Sequence, residues 1–211
     1  MLDPLMISVT YAASNAAIWL IAAFLMTCSM RYRRIGVAVI VALAVTYIVV
    51  DLVMKPVFDR PRPFEVEDLV PIVDPPTSAS FPSGHTAHSF AAAFCIFYYN
   101  RRWGIPALAF ASLVGVSRIY LGVHWPTDVF AGAIVGMAVA YAVIWFMDRR
   151  VPYFQSLPDP RVRNDPRRSG RDMMEGPTRL RRPDSFSPPR PIRRTAWRSR
   201  PWPPTSWGRR L

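Results

Sequence analysis

Five apolar runs, near residues 7 to 29, 35 to 54, 83 to 99, 104 to 121 and 127 to 147, fill most of the chain up to Met147. Each approaches the roughly 20 residues that a helix needs to cross the hydrocarbon core of a bilayer. Inside hydrocarbon every backbone N–H and C=O has to be bonded internally, so runs of this length fold as helices and not as open sheet. The expected fold class is therefore all-α, a polytopic transmembrane helical bundle of about five spans. The third run is the least apolar, because Ser83, His85, Thr86, His88 and Ser89 occupy its first turns. Its polar end has to be buried in protein or open to water.

The charge sits elsewhere. The chain carries a formal net charge of +12 over 211 residues, yet from Met1 to Met147 positive and negative side chains nearly cancel. From Asp148 to Leu211 there are 17 Arg against 6 Asp or Glu, together with 12 of the 22 prolines. Two units follow: a membrane-embedded domain over residues 1–150 and an Arg/Pro-rich tail over 151–211. The tail has no apolar period and cannot bury enough surface to fold, so it is expected to be disordered. Its Arg content suits anionic lipid headgroups, and a plain solvated extension satisfies the same composition. No nucleic-acid partner is expected, because a basic docking face has to sit on the folded unit. Cys28 and Cys95 lie in apolar stretches and read as small buried hydrophobes. The first apolar run continues without a small-residue cleavage pattern and reads as a span, not a signal peptide.

Cationic loops set the orientation. Arg31, Arg33 and Arg34 follow the first run, Arg101 and Arg102 the third, and Arg149 and Arg150 the fifth. Basic residues in short loops favour the cytoplasmic side, which places the tail there and the other two connections outside. Those connections are KPVFDRPRPFEVEDLVPIVDPPTSASFPSGH and LGVHWPTD. Glu65, Glu67 and Asp68 in the first of them read as a solvated acidic patch.

Three pieces of these connections carry chemistry. In KPVFDRPRP, prolines at 56, 61 and 63 stiffen the path between Lys55 and Arg62. Lys55 is the only lysine beside 25 arginines, so a compact ammonium is used where the chain otherwise uses a guanidinium fork. In SFPSGHTAHSF a turn shaped by Pro82 and Gly84 runs into a helix that Ser83 can cap, and the first amides of such a helix attract phosphate oxygens. His85 stands beside that anion site, while His88, one turn deeper, reads as a packing or hydrogen-bonding residue. In SRIYLGVHWPTD, His124 and Asp128 are four apart and Pro126 suits a first helical turn, so the carboxylate can reach the ring. Such a carboxylate fixes one imidazole nitrogen and leaves the other free to attack or to accept a proton. Arg118 adds a planar bidentate donor suited to phosphate. Three cations, a helix terminus, two histidines and a carboxylate match phosphoryl transfer from an anionic ester.

These residues resemble the type 2 phosphatidic acid phosphatases, the PAP2 or acid phosphatase and vanadium haloperoxidase superfamily, whose pattern is K-x6-R-P, then P-S-G-H, then S-R-x5-H-x3-D. The matching positions are Lys55 with Arg62-Pro63, Pro82-Ser83-Gly84-His85, and Ser117-Arg118 with His124 and Asp128, over roughly residues 3 to 147. Membrane members of the family have six spans with the active site facing outward, one more than counted here. The resemblance implies that His124 is the nucleophile that forms a phosphohistidine and that Asp128 orients it. It implies that His85 protonates the leaving oxygen and then activates water. Lys55, Arg62, Ser83, Gly84 and Arg118 would stabilise the phosphoryl oxygens. No metal and no cofactor is implied. The RPRPF and SFPSGHTAHSF runs look most like bacterial phosphatases of the undecaprenyl diphosphate type, acting on the outer face of the cell membrane. A phosphatidate or phosphatidylglycerophosphate phosphatase would show the same motifs.

Readings of other classes fit less well. A transport or binding protein would carry charge through the spans, where Asp51 is the one clear acidic residue. A metal hydrolase built on His85, His88, His124 and Asp128 would set a divalent ion against three cations. Vanadate-dependent halide oxidation uses the same residue set in soluble proteins.

Overall fold

The computed structural model describes residues 2–12, 16–67 and 70–161. Its helices are α1 (Leu2–Ala12), α2 (Ala17–Cys28), α3 (Arg33–Tyr47), α4 (Lys55–Phe58), α5 (Pro63–Val66), α6 (Gly84–Tyr99), α7 (Arg101–Tyr120), α8 (Pro126–Arg150) and α9 (Pro152–Ser156). Between α3 and α4 the chain continues as a π-helical segment, Ile48–Met54. Among the described residues the regular structure is all helical, as the apolar runs predict.

Among the described residues, three helical stretches are long and apolar enough to cross a membrane: Arg33–Val66, Arg101–Tyr120 and Pro126–Arg150. The first expected span divides in two, because Ala16 takes a left-handed backbone at φ 57° that an α-helix cannot carry through. The third, α6, has 16 residues. At 1.5 Å per residue it spans about 24 Å, short of a bilayer core of roughly 30 Å. It is instead the centre of the bundle, packed by α3, α7 and α8.

Small residues make that centre possible. Helices in lipid gain little from the hydrophobic effect and associate by close packing, which favours Gly and Ala at their contacts. On α6, Ala87, Ala91, Ala92 and Ala93 are fully buried. On α8, a Cβ at Gly132 would stand 2.6 Å from the Ser83 carbonyl oxygen, and one at Gly136 would stand 2.2 Å from that of Ala87. Neither position tolerates a side chain, so α8 lies directly on the α6 backbone. Large apolar side chains point the other way, with Phe24, Leu52, Ile105, Phe130 and Phe146 exposed on the outside of the bundle where lipid would stand. Cys95 is buried as expected, but Cys28 is exposed, because it closes α2 at the rim of the bundle and not within its packed seam.

The folded unit also runs past the expected boundary at residue 150. Phe154 and Leu157 are buried, and Arg34 stacks over the Phe154 ring at 4.9 Å while pairing with Asp148 at 2.7 Å. Tyr99 donates to the same Asp148 at 3.1 Å. An aromatic side chain over a buried guanidinium gives residues 152–157 a place in the core. The predicted disorder beyond Arg161 lies outside the described residues.

Candidate active site

Asp51 lies on the π-helical segment and Lys55 opens α4 directly after it, and the wider turn of that segment shifts α4 relative to α3. Such segments recur at functional sites. Lys55 Nζ donates to Asp51 Oδ1 at 2.6 Å and approaches Ser78 Oγ at 3.4 Å. Opposite them is the start of α6, where a Cβ on Gly84 would meet Asp51 Oδ1 at 3.1 Å and Lys55 Nζ at 3.3 Å. Gly84 therefore belongs to the site through its missing side chain, which lets the ion pair reach the helix terminus.

Arg62 is fixed by loops on both sides. It donates from Nε to the Ser78 carbonyl at 2.8 Å, from Nη2 to Ser78 Oγ at 3.2 Å, and from Nη1 to the Val123 carbonyl at 2.7 Å. The same Nη1 lies 3.3 Å from His124 Nε2. A guanidinium can only donate, so Nε2 is the lone-pair nitrogen and Nδ1 carries the ring proton. Ser78 thus joins Lys55 to Arg62, a bridge to which no motif in the sequence points.

The expected contact of His124 with Asp128 has a third member. His124 Nδ1 stands 3.6 Å from Asp128 Oδ2, beyond hydrogen-bond length, and 3.4 Å from Ser80 Oγ. Ser80 in turn donates a short hydrogen bond to Asp128 Oδ2. The chain of protons runs from His124 Nδ1–H through Ser80 to the carboxylate. Asp128 also accepts from the Trp125 amide at 3.0 Å, closing the first turn of α8, and from Arg60 Nη1 at 2.7 Å on Oδ1. Arg60 further donates to Thr127 Oγ1 at 2.7 Å and lies over the Trp125 ring at 5.6 Å. The sequence reading missed both Ser80 and Arg60. They lie two residues before Pro82 and Arg62, and that proximity is the only signal the sequence offers.

His124 is 3% exposed. Burial pushes its imidazole down to about 4, with the nearby Asp128 carboxylate opposing the shift and the Arg62 and Arg118 charges adding to it. Near neutral pH the ring is uncharged and Nε2 keeps a lone pair that can act as a nucleophile.

Arg118, 3% exposed, donates from Nη1 to Thr10 Oγ1 at 3.3 Å, so α1 covers the guanidinium from the side. Its Nε is buried without a hydrogen-bond partner among the described residues. Arg62 and Arg118 act electrostatically on each other and on His124, and His85 feels Arg118, His124, His88 and Lys55. All the sequence-selected cations and histidines therefore share one locality. Ser83 departs from expectation. Its hydroxyl makes no cap bond, accepting instead from Thr86 Oγ1 at 3.0 Å, and its amide donates to the Asp128 carbonyl at 3.0 Å. The close seat of α8 on α6 takes that amide before any anion can.

A cleft of about 680 Å³ opens beside these groups, lined at its polar end by Asp51, Lys55, Ser78, Gly84, His85 and His88. Leu20, Ile40, Leu43, Ala44 and Tyr47 line the rest, between α2 and α3. Leu20 is 45% exposed and Tyr47 52%, so the apolar part opens sideways toward lipid. Among the described residues, no three His, Cys, Asp or Glu side chains converge as a metal site. Arg60 and Ser80 occupy the Asp128 oxygens that such a site would need.

Comparison with known proteins gives four findings. Residues 35–152 match the family model described as the PAP2 superfamily. The chain is 30% identical over 153 residues to undecaprenyl-diphosphatase BcrC of Bacillus subtilis, covering 72% of this chain and 78% of that protein. It is 32% identical over 126 residues to an undecaprenyl-diphosphatase of Sulfolobus acidocaldarius, covering 59% of this chain and 61% of the relative. Among solved structures, a transmembrane PAP2-type phosphatidylglycerolphosphate phosphatase from Bacillus subtilis superposes with a TM-score of 0.58 at 25% identity. That match covers 72% of this chain and 79% of the other.

Proposed function

The chain belongs to the PAP2 superfamily of membrane lipid phosphatases, and from that premise we propose that it removes the terminal phosphate of a lipid diphosphate of the undecaprenyl type. The observation that carries the reading is the cleft, which joins an apolar, laterally open part to a wall bearing Lys55, Gly84 and His85. A prenyl chain fits the first part and its phosphates the second.

The first step is in-line attack by the Nε2 lone pair of His124 on the terminal phosphorus. The N–P bond forms as the P–O bond to the leaving group breaks, and His85 gives its proton to that oxygen. Arg62, already at Nε2, and Arg118 and Lys55 take the charge on the equatorial oxygens. As the imidazolium develops, Nδ1–H leans on Ser80 and, through it, on Asp128. In the second step His85 takes a proton from water, the water oxygen bonds to phosphorus, and the N–P bond breaks to release inorganic phosphate. Every charge change is met by a side chain of this chain, so no metal enters the scheme.

We place the site on the extracytoplasmic face and the tail inside. Support comes from the basic ends, since Arg34, Tyr99 and Asp148 meet at one end of α3, α6 and α8, away from Lys55, His85 and His124. Cytoplasmic basic loops then put the catalytic end outside.

The test is phosphate release by the purified full chain, in EDTA, from a panel of undecaprenyl diphosphate, phosphatidate and phosphatidylglycerophosphate. The expected result is turnover of the diphosphate with an acid-labile phosphohistidine, absent in His124→Ala. Preferred turnover of phosphatidylglycerophosphate would favour the activity named for the superposed structure. Loss of activity on chelation, restored by zinc, would overturn the scheme.

A further inference from the structure

One edge of the cleft is idle in this scheme. His88 Nδ1 lies 2.7 Å from the Gly84 carbonyl oxygen, which can only accept, so Nδ1 carries a proton. The far edge of the ring, Nε2, faces Asp51 Oδ2 at 3.7 Å. Asp51 is divided between its two oxygens. Oδ1 takes Lys55, whereas Oδ2 is buried without a hydrogen-bond partner among the described residues. With a neutral His88, two acceptors face each other across that gap. A proton on Nε2 turns the same edge into a donor flanked by one carboxylate. Asp51, Lys55, His85 and His88 all line the cleft, and Gly84 keeps the space between them clear.

Geometry then limits what passes this wall. With the terminal phosphorus at His124 and the lipid in the apolar part, the connecting group lies along Lys55, His85 and His88. In a lipid monophosphate that group is an uncharged ester oxygen. In a diphosphate it is a second phosphate, carrying negative charge and further acceptor oxygens. Lys55 is already balanced by Asp51, so this pair has no net charge to set against a second anion. The charge of a second phosphate favours a proton on Nε2, and His88 protonated in this way gives the cluster a net positive charge and one directed donor.

We propose that His88, held by Gly84 and Asp51, is a specificity-determining residue that donates from Nε2 to the linking phosphate and so favours lipid diphosphates over monophosphates. The proposal rests on the phosphatase reading above and names its substrate class. His88 here does more than the packing or hydrogen bonding assigned to it from sequence.

The experiment compares kcat/KM of the full-length protein in detergent on farnesyl diphosphate and farnesyl monophosphate, which share one tail. His88→Asn keeps an amide donor for the Gly84 carbonyl and removes the Nε2 edge. A hydrogen bond to a charged group is worth about 1.5–3 kcal/mol, so the diphosphate-to-monophosphate ratio should fall roughly 10- to 100-fold. Equal losses on both substrates, or an unchanged ratio, would overturn the assignment and leave the phosphatase reading intact. A wild-type protein that hydrolyses neither would overturn both. Should the variant fail to fold, or should wild type not turn over the monophosphate, inhibition of wild type decides. Farnesyl methylenediphosphonate should inhibit at least about tenfold more tightly than farnesyl phosphonate, by the same hydrogen-bond magnitude. Equal inhibition would sink the proposal.

Discussion

Ser80 stands between His124 and Asp128, accepting at 3.4 Å from the ring nitrogen Nδ1 and donating to the carboxylate oxygen Oδ2. The residues flanking it explain this placement. Ser80 N donates to the Arg60 carbonyl at 2.8 Å, so the segment entering α6 is strung along the loop that carries Arg60 and Arg62.

Ser80→Ala should therefore lose more than one hydrogen bond. It leaves the Nδ1 proton of His124 facing a carboxylate 3.6 Å away with nothing between. Buried hydrogen bonds to charged groups contribute about 1.5–3 kcal/mol, so kcat/KM should drop roughly 10- to 100-fold. Ser80→Thr, which keeps the hydroxyl, should recover most of that. A Ser80→Ala protein that melts early but turns over at the wild-type rate would reduce Ser80 to a structural role.

Arg60→Ala removes the only cation paired with Asp128 Oδ1 among the described residues, and the Asp128 side chain is fully buried. Breaking a buried ion pair by removing one partner costs about 3–5 kcal/mol. Arg60 is 37% exposed at its side chain, so solvent screening brings the expected loss to the lower end or below it. The melting temperature in detergent should fall clearly for Arg60→Ala and less for Arg60→Ala combined with Asp128→Asn. Additive losses in that pair would show that Arg60 and Asp128 do not act as a pair.

The pH dependence follows from the His124 ring, held down at about 4 by burial and the nearby guanidinium charges. Protonation places a hydrogen on Nε2 and removes the nucleophile, so phosphoenzyme formation is full above that value and is lost as pH falls through about 4. Arg62→Gln removes a cation that disfavours the imidazolium, which should move the acid limb upward toward the ordinary histidine range. Rapid-quench trapping with an activated aryl phosphate reads this step. An acid limb that stays in place in Arg62→Gln would show that the Arg62 charge does not act on the ring.

Lys55, Arg62, His85, Arg118, His124 and Asp128 could be grouped from sequence because three short motifs carry them, and the fold brings them within electrostatic reach of one another. Ser78, Ser80 and Arg60 could not, because a hydroxyl or a guanidinium in a proline-rich loop has no period and becomes informative only when folding brings it to a partner. Ser83 misled for a related reason. Its local pattern is that of a cap, but Gly132 lets α8 approach within reach of the Ser83 carbonyl, and the Ser83 amide goes to Asp128. The helices were legible in the apolar runs, whereas the break at Ala16 and the burial of α6 depend on contacts far along the chain.

The division of labour between His85 and His124 gives the sharpest test of the scheme. With a lipid diphosphate, His85→Ala loses protonation of the leaving oxygen, a contribution of about 10² to 10⁴ in rate. With an activated aryl phosphate the leaving group needs little proton, so most of that loss should vanish from the first step. Dephosphorylation still needs a base for water, so phosphohistidine should accumulate on His124 in His85→Ala. His124→Ala should abolish both turnover and phosphoenzyme with either substrate, because Nε2 of His124 is the lone pair that Arg62 meets at 3.3 Å. Asp128→Asn should fall between the two, since Ser80 keeps a hydrogen-bonding partner but the imidazolium loses its carboxylate. Quenched-flow measurement of phosphoenzyme on the aryl substrate decides the matter. Phosphoenzyme in His124→Ala would move the nucleophile elsewhere, and a His85→Ala protein equally dead in phosphoenzyme formation would take the general-acid role from His85.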